Sequence, residues 1–239
     1  MRTNRVYGGK SVYGASVGIL MLDAKFPRIP GDMGNAGTWP FPVHYKVVRN
    51  ASPDLVVRRG AEGLLEDFVA AGRELIDMGV SGITTNCGFL SLFQNDLKAR
   101  LGVPVAASSL MQVPMVQSLL PQGKRVGILT VSASTLTTAH LAAAGIAADC
   151  PVMGTESGEE FTRVLLDNEE WLDVGKARVD NIAAARRLVE AHPDVGAIVL
   201  ECTNMVPYAE DIARETGLPV HSIYSFVTWF QAGLVPRGF

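Results

Sequence analysis

Long apolar runs are missing from this sequence. The most compact, Val17 to Leu22, falls far short of the roughly 20 residues a helix needs to cross a bilayer. Charge of one sign is also scarce: 24 acidic and 21 basic residues give a net charge of −3 without a dense run of either kind. This removes the electrostatic footprint that nucleic acid or an anionic lipid surface requires, so neither is an expected partner and a small molecule is. Cysteine is rare. The three at 87, 150 and 202 cannot build a disulfide framework, and no C-x-x-C or Cys/His cluster has the spacing of a zinc site, so no metal is expected. Arg2, Arg5 and Lys10 are interrupted by Gly and Ser and are not followed by a signal-peptide stretch, so a cytoplasmic protein is expected.

The 239 residues are 48% apolar and 19% charged, an ordinary globular balance with enough chain for one large α/β unit or two smaller domains. The informative feature is an internal repeat. Residues 79–105, GVSGITTNCGFLSLFQNDLKARLGVPV, align without a gap on residues 194–220, DVGAIVLECTNMVPYAEDIARETGLPV. Identities fall at Val80/Val195, Ile83/Ile198, Cys87/Cys202, Asp96/Asp211, Gly102/Gly217, Pro104/Pro219 and Val105/Val220. Upstream, Val17-Gly18-Ile19-Leu20 is echoed by Val126-Gly127-Ile128-Leu129.

Each copy reads as apolar strand, cysteine, helix, Gly-x-Pro-Val turn and strand. Helical periodicity also runs from Glu62 to Met78 and from Ala177 to Ala191. Strands alternating with helices indicate parallel sheets. The expected fold is α/β, with two roughly flavodoxin-like lobes related by a pseudo-twofold axis and the active site in the cleft between them. The expected division is residues 1–108 with 223–239 as the first lobe and 109–222 as the second. The Pro/Gly-rich stretch from Phe26 to Pro42 is too long for a simple connection and is expected to overhang the cleft.

A duplicated cysteine can be retained for packing alone. Position argues otherwise: ligands of open parallel sheets bind outside the carboxyl ends of the strands, where both cysteines fall. A cysteine at a helix N-terminus lies near free N–H groups and the positive end of the helix dipole, which favours the thiolate. The same N–H groups favour a substrate carboxylate. Inverting a carbon centre needs a base on one face and an acid on the other, and Cys87 and Cys202 supply that pair without any cofactor.

Thr84-Thr85-Asn86-Cys87-Gly88, Leu200-Glu201-Cys202-Thr203-Asn204 and the two Gly-x-Pro-Val endings resemble the aspartate/glutamate racemase superfamily, from Val17 to about Phe230. That superfamily includes amino-acid and hydantoin racemases, maleate isomerases and arylmalonate decarboxylases. The resemblance implies Cys87 and Cys202 as catalytic acid and base. It also implies carboxylate binding through Gly88, Phe89, Thr203 and Asn204, with Ser132 and Asp23 contributed by the first strand of each half. Asn86 and Glu201 precede the cysteines at equivalent positions; they could orient or polarise the thiols, and Glu201 could equally cap the following turn. Homodimers are common in the superfamily. Two departures argue against glutamate as substrate: Asn204 stands where many glutamate racemases have His, and Met21-Leu22-Asp23-Ala24 replaces an Asp-Ser pair.

The four histidines lack a nearby cysteine or acidic partner and are read as surface or loop residues. Cys150 has no repeat partner and is read as structural. Trp39, Phe41 and Tyr45 could line an apolar pocket or anchor the long loop, and Arg28 or Asp32 could meet a charged substrate. The leading expectation is a cofactor-independent racemase or epimerase acting next to a carboxylate or carbonyl, on an amino acid or hydantoin. The alternatives are a maleate-type cis–trans isomerase with a cysteine nucleophile and a non-catalytic small-ligand binding module. Decarboxylation is less favoured, because arylmalonate decarboxylases use a single cysteine.

Overall fold

The computed structural model describes residues 7–238. Residues 1–6 and 239, assigned from sequence to the first lobe, lie outside the described residues. The first half builds strands β1 (Val17–Leu22), β2 (Val43–Val48), β3 (Gly82–Thr85) and β4 (Val105–Ala106) into a parallel sheet of order β2-β1-β3-β4. The second builds β5 (Arg125–Thr130), β6 (Val152–Gly154), β7 (Val195–Leu200) and β8 (Val220–His221) into a parallel sheet of order β6-β5-β7-β8. The two orders are the same, so the repeat in the sequence is a repeat in topology.

β1 is buried at every residue, as expected of a central parallel strand covered on both faces. Helices α1 (Pro53–Val57) and α2 (Leu65–Asp77) precede β3, and α3 (Gln94–Leu101) and α4 (Val113–Leu119) follow it. The second half adds α5 (Thr138–Ala143), α6 (Phe161–Leu166), α7 (Val174–Ala191) and α8 (Ala209–Thr216), and the chain ends in α9 (Ile223–Leu234). The stripe of α2 that buries Phe68, Val69 and Leu75 follows helical spacing, and each large side chain contributes about 1.5–3 kcal/mol of burial. α3 and α8 both stop at glycines in the left-handed region, Gly102 and Gly217, each with φ of 69°. This is why Gly opens the Gly-x-Pro-Val ending: other residues are strained there.

One buried cluster runs through both halves. A second seats Ile223, Phe226 and Val227 of α9 against Val17, Ile19 and Ala106 of the first sheet. No helix among the described residues is long and apolar enough to cross a membrane.

The segment after each cysteine differs from expectation. It is a 3₁₀ helix, Gly88–Phe93 after Cys87 and Thr203–Tyr208 after Cys202, and only then do α3 and α8 begin. In the second copy Pro207 lies inside this turn, and proline lacks the N–H that a longer ladder would use. Each cysteine is the extended residue that caps this tighter turn, so turn N–H groups still point back toward it.

Candidate active site

Within each sheet the order reverses direction between the first and third strands in sequence, and the crevice outside their carboxyl ends is the expected ligand position. β3 ends at Thr85 and β7 at Leu200, which delivers Cys87 and Cys202 to those two crevices, facing one another across the join. Both thiols line a single narrow cavity of about 30 Å³. Leu22, Phe26, Pro53, Val57 and Phe89 wall it from the first half, and Val131, Leu165 and Leu166 from the second. Such a volume holds a water molecule or two in the space as it stands.

The two cysteine motifs interlock. The Thr203 hydroxyl donates to the Asn86 carbonyl at 2.6 Å, and the Asn86 side-chain oxygen accepts from the Leu22 N–H at 2.7 Å. At the symmetry-related place Gly88 has no side chain, and the carboxyl of Glu201 fills the space. A Cβ on Gly88 would lie 2.1 Å from Glu201 Oε1 and 2.5 Å from the Glu201 carbonyl oxygen. Glu201 is 1% exposed; its Oε2 accepts from the Thr130 hydroxyl at 2.7 Å, while Oε1 has no partner. Burial without a counter-charge pushes this carboxyl up to about 8, against the lowering effect of the Thr130 bond.

The thiols are equally dry, 9% exposed at Cys87 and 7% at Cys202. Burial raises both well above the ordinary cysteine range, and the nearby Glu201 adds to it. The N–H groups of Phe89 and Leu90 at Cys87, and of Asn204 at Cys202, pull the other way. This corrects the expectation from helix-end position alone: the turn N–H groups face the sulfurs, but loss of solvent outweighs them.

Asn86, Gly88, Phe89, Thr203 and Asn204 line the cavity with the two cysteines. Asp23 and Ser132 do not: the residues before them, Leu22 and Val131, form the wall. Asp23 is exposed and its N–H bonds the Ala51 carbonyl, and Ser132 pairs its hydroxyl with Ser134 at 3.2 Å. Trp39, Phe41 and Tyr45 anchor the long loop instead of lining the cavity. Trp39 stacks on Phe41 and Tyr224, and the Tyr45 hydroxyl donates to the Met33 carbonyl. The loop does lie over the site, sending Phe26 into its wall and Asp32 onto Asn204.

His140 corrects a second expectation. It is buried, edge-on to Phe89, with Nδ1 bonded by Thr137 at the start of α5. Cys150 lies away from the cavity with its thiol donating to the Val126 carbonyl. Phe26 comes from the stretch expected to overhang the cleft, whereas Pro53, Val57, Leu165 and Leu166 come from α1 and α6, which lie outside the sequence repeat and carried no signal. No group of three or more His, Cys, Asp or Glu that could hold a metal occurs among the described residues.

These features define a class: a duplicated α/β protein with two dry thiols lining one narrow cavity between its halves. Its fold is shared with solved arylmalonate decarboxylase, allantoin racemase and glutamate racemase structures. No family model matches the chain. An arylmalonate decarboxylase variant solved with sulfate aligns over 93% of this chain and 94% of its own, with TM-score 0.63 and 18% identity. Allantoin racemase from Klebsiella pneumoniae aligns over 92% and 88%, with TM-score 0.64 and 19% identity. In sequence, a dimethylsulfoniopropionate lyase of Durusdinium sp. clade D is 29% identical over 232 residues, 92% of this chain and 75% of that protein. Dimethylsulfoniopropionate lyase 5 of Emiliania huxleyi (strain CCMP1516) is 27% identical over 234 residues, 91% of this chain but 45% of its own length. The fold and these relatives together support an enzyme.

Proposed function

We propose that the chain is a cofactor-independent lyase that takes a proton from the carbon next to a carboxylate and expels a neutral sulfide from the adjoining carbon. Dimethylsulfoniopropionate is the candidate substrate. The observation that carries the reading is the cavity lining: two thiols and the turns whose N–H groups face them, together with apolar and aromatic side chains. The turn N–H groups suit the carboxylate and the charge that grows on it as the neighbouring C–H bond breaks. Phe89 suits the sulfonium, because an aromatic ring attracts a cation that has shed its water, while the Phe26 ring already carries the Arg28 guanidinium at 4.4 Å.

The step balances. A cysteine thiolate takes the C–H proton, the C–H electron pair becomes the new C=C bond, and the C–S bond breaks with its pair leaving on sulfur. The products are acrylate, dimethyl sulfide and a cysteine thiol, which returns its proton to solvent. The relatives along the chain favour this outcome over the racemisation expected from sequence.

Racemisation or epimerisation of an amino acid or hydantoin stays as the second reading, favoured by a thiol on each half of the cavity. One experiment separates the two. The protein is incubated with dimethylsulfoniopropionate while dimethyl sulfide is followed by gas chromatography. In parallel it is incubated in D₂O with L- and D-amino acids and hydantoins while the α-proton is followed by NMR. Sulfide and acrylate in equal amounts support the lyase. Exchange with inversion and no sulfide overturns it in favour of the racemase.

A further inference from the structure

Asp32 is a carboxylate that the long loop of the first half carries onto the cysteine turn of the second. It is 2% exposed. Its Oδ1 accepts from the Arg28 guanidinium at 3.1 Å and from the Gly34 N–H at 2.7 Å, and its Oδ2 meets Asn204 Nδ2. A carboxylate ion-paired with arginine only accepts hydrogen bonds. The Asn204 amide therefore has one orientation open to it: the NH₂ faces Asp32 and Oδ1 faces away. That oxygen lies 3.5 Å from Cys202 Sγ. A carbonyl oxygen receives a thiol S–H and repels a thiolate.

Cys202 Sγ also meets one backbone N–H, from Asn204, and Glu201 lies near both sulfurs, but the repeat partner of Cys202 has the larger set of donors. Cys87 Sγ faces two backbone N–H groups, from Phe89 and Leu90, which favour negative charge on sulfur. Phe89 occupies the repeat position of Asn204, so no side-chain oxygen reaches Cys87 from there.

We propose that Asp32, acting through Asn204, holds Cys202 as the protonated thiol and thereby leaves Cys87 as the base of the site. The assignment rests on the reading of the thiols as proton-transfer groups and deepens it. Elimination consumes one base per turnover and runs in one direction, which an unequal pair suits. Racemisation in both directions needs each thiol to take each role in turn. Asp32 and Asn204 are positioning residues in this scheme. The titratable groups that face Cys202 are Asp32 from the loop, Glu201 from the end of β7, Cys87 from the first half and Tyr208 from its own turn, with Arg28 behind Asp32.

The test is a pH titration of thiolate ultraviolet absorbance, without substrate, in a Cys150→Ser background. Cys202→Ser leaves Cys87 alone and Cys87→Ser leaves Cys202 alone. Cys87 is expected to ionise at lower pH by about one unit or more. In the Cys202-only protein, Asp32→Ala is expected to lower the midpoint by about one unit, and to have almost no effect once Asn204→Ala is present. Equal midpoints for the two cysteines overturn the proposal. So does an Asp32→Ala shift that survives undiminished in Asn204→Ala, since that marks a direct charge effect. Should Asp32→Ala fail to fold by circular dichroism, Asp32→Asn keeps the shape, lets the Asn204 amide turn either way, and is expected to shift the midpoint in the same direction. Substrate conversion is scored separately. A protein that converts no sulfonium substrate yet shows the coupled shift keeps this assignment and loses the lyase reading. A protein that releases dimethyl sulfide and shows no shift does the reverse.

Discussion

Gly88 and Glu201 fill one another's space: the carboxyl of the second motif lies where a side chain of the first would stand. Part of that contact is backbone, because the Glu201 carbonyl oxygen also closes on the Gly88 Cβ position. Gly88→Ala is therefore expected to destabilise the protein by about 1–3 kcal/mol through overpacking, and to cut turnover by forcing the two motifs apart. Thermal unfolding checks the first part. Adding Glu201→Ala should not restore stability, since the backbone clash remains; full rescue would show that the side chain alone sets the fit.

The raised carboxyl of Glu201 makes stability depend on pH in a defined direction. Its ordinary value is 4.5 and burial moves it to about 8. Between those two values the folded state holds the proton and the unfolded state has lost it. Stability is then greatest below the lower value and declines as pH rises through the upper one, by about 1.4 kcal/mol per unit at the steepest. Glu201→Gln, which resembles the protonated acid, should flatten that decline. Urea unfolding of both proteins from acid to mildly alkaline pH measures it, and parallel curves would count against a buried neutral acid.

Removal of either thiol should have unequal effects if one of them is the resting base. Cys87→Ser is expected to lower the rate of sulfide release by about 10²- to 10⁴-fold, the usual contribution of a positioned base. Cys202→Ser should cost clearly less in the same assay, while any racemisation should vanish with either. Equal losses in elimination would speak for a shared role.

Contacts between the halves lie next to the cavity wall, at the residues that follow Val57 and Leu166. Arg58, just after α1, pairs with Asp167, just after α6, at 2.9 Å, and the Lys25 N–H donates to Asn168 Oδ1 at 2.7 Å. The ion pair is exposed and is worth about 0–1 kcal/mol to folding, so Arg58→Ala should leave thermal stability almost unchanged. Its effect should appear in access instead, as faster alkylation of Cys87 by iodoacetamide, read by mass spectrometry. An unchanged alkylation rate would mean that substrate enters elsewhere.

What the sequence made legible follows from local pattern and from repetition. β1 and β3 coincide with their apolar runs, and α2 and α7 fall on their helical periods with starts three residues from those expected, because buried parallel strands and one-sided helices leave those signatures in any short window. The two cysteines stood out because the repeat doubled a signal that is weak in one copy. The walls of the site did not. α1 and α6 are short and hold matching places in the two halves, each between the second strand and the next helix, but the sequence repeat does not reach them, and they matter only because the fold brings them together. Asp32 and Asn204 meet across most of the chain, and the state of the thiols depends on how thoroughly water is excluded, which no local motif encodes.

The matched strand orders of the two sheets have a historical consequence. A chain whose halves repeat each other in topology, with a cysteine from each meeting at the join, has the form of two identical subunits fused by gene duplication. In such an ancestor the facing sulfurs were equivalent by symmetry and neither could be set apart as acid or base. In the single chain Gly88 stands opposite Thr203, Asn86 opposite Glu201 and Phe89 opposite Asn204, so a joint that symmetry would divide equally is free to specialise.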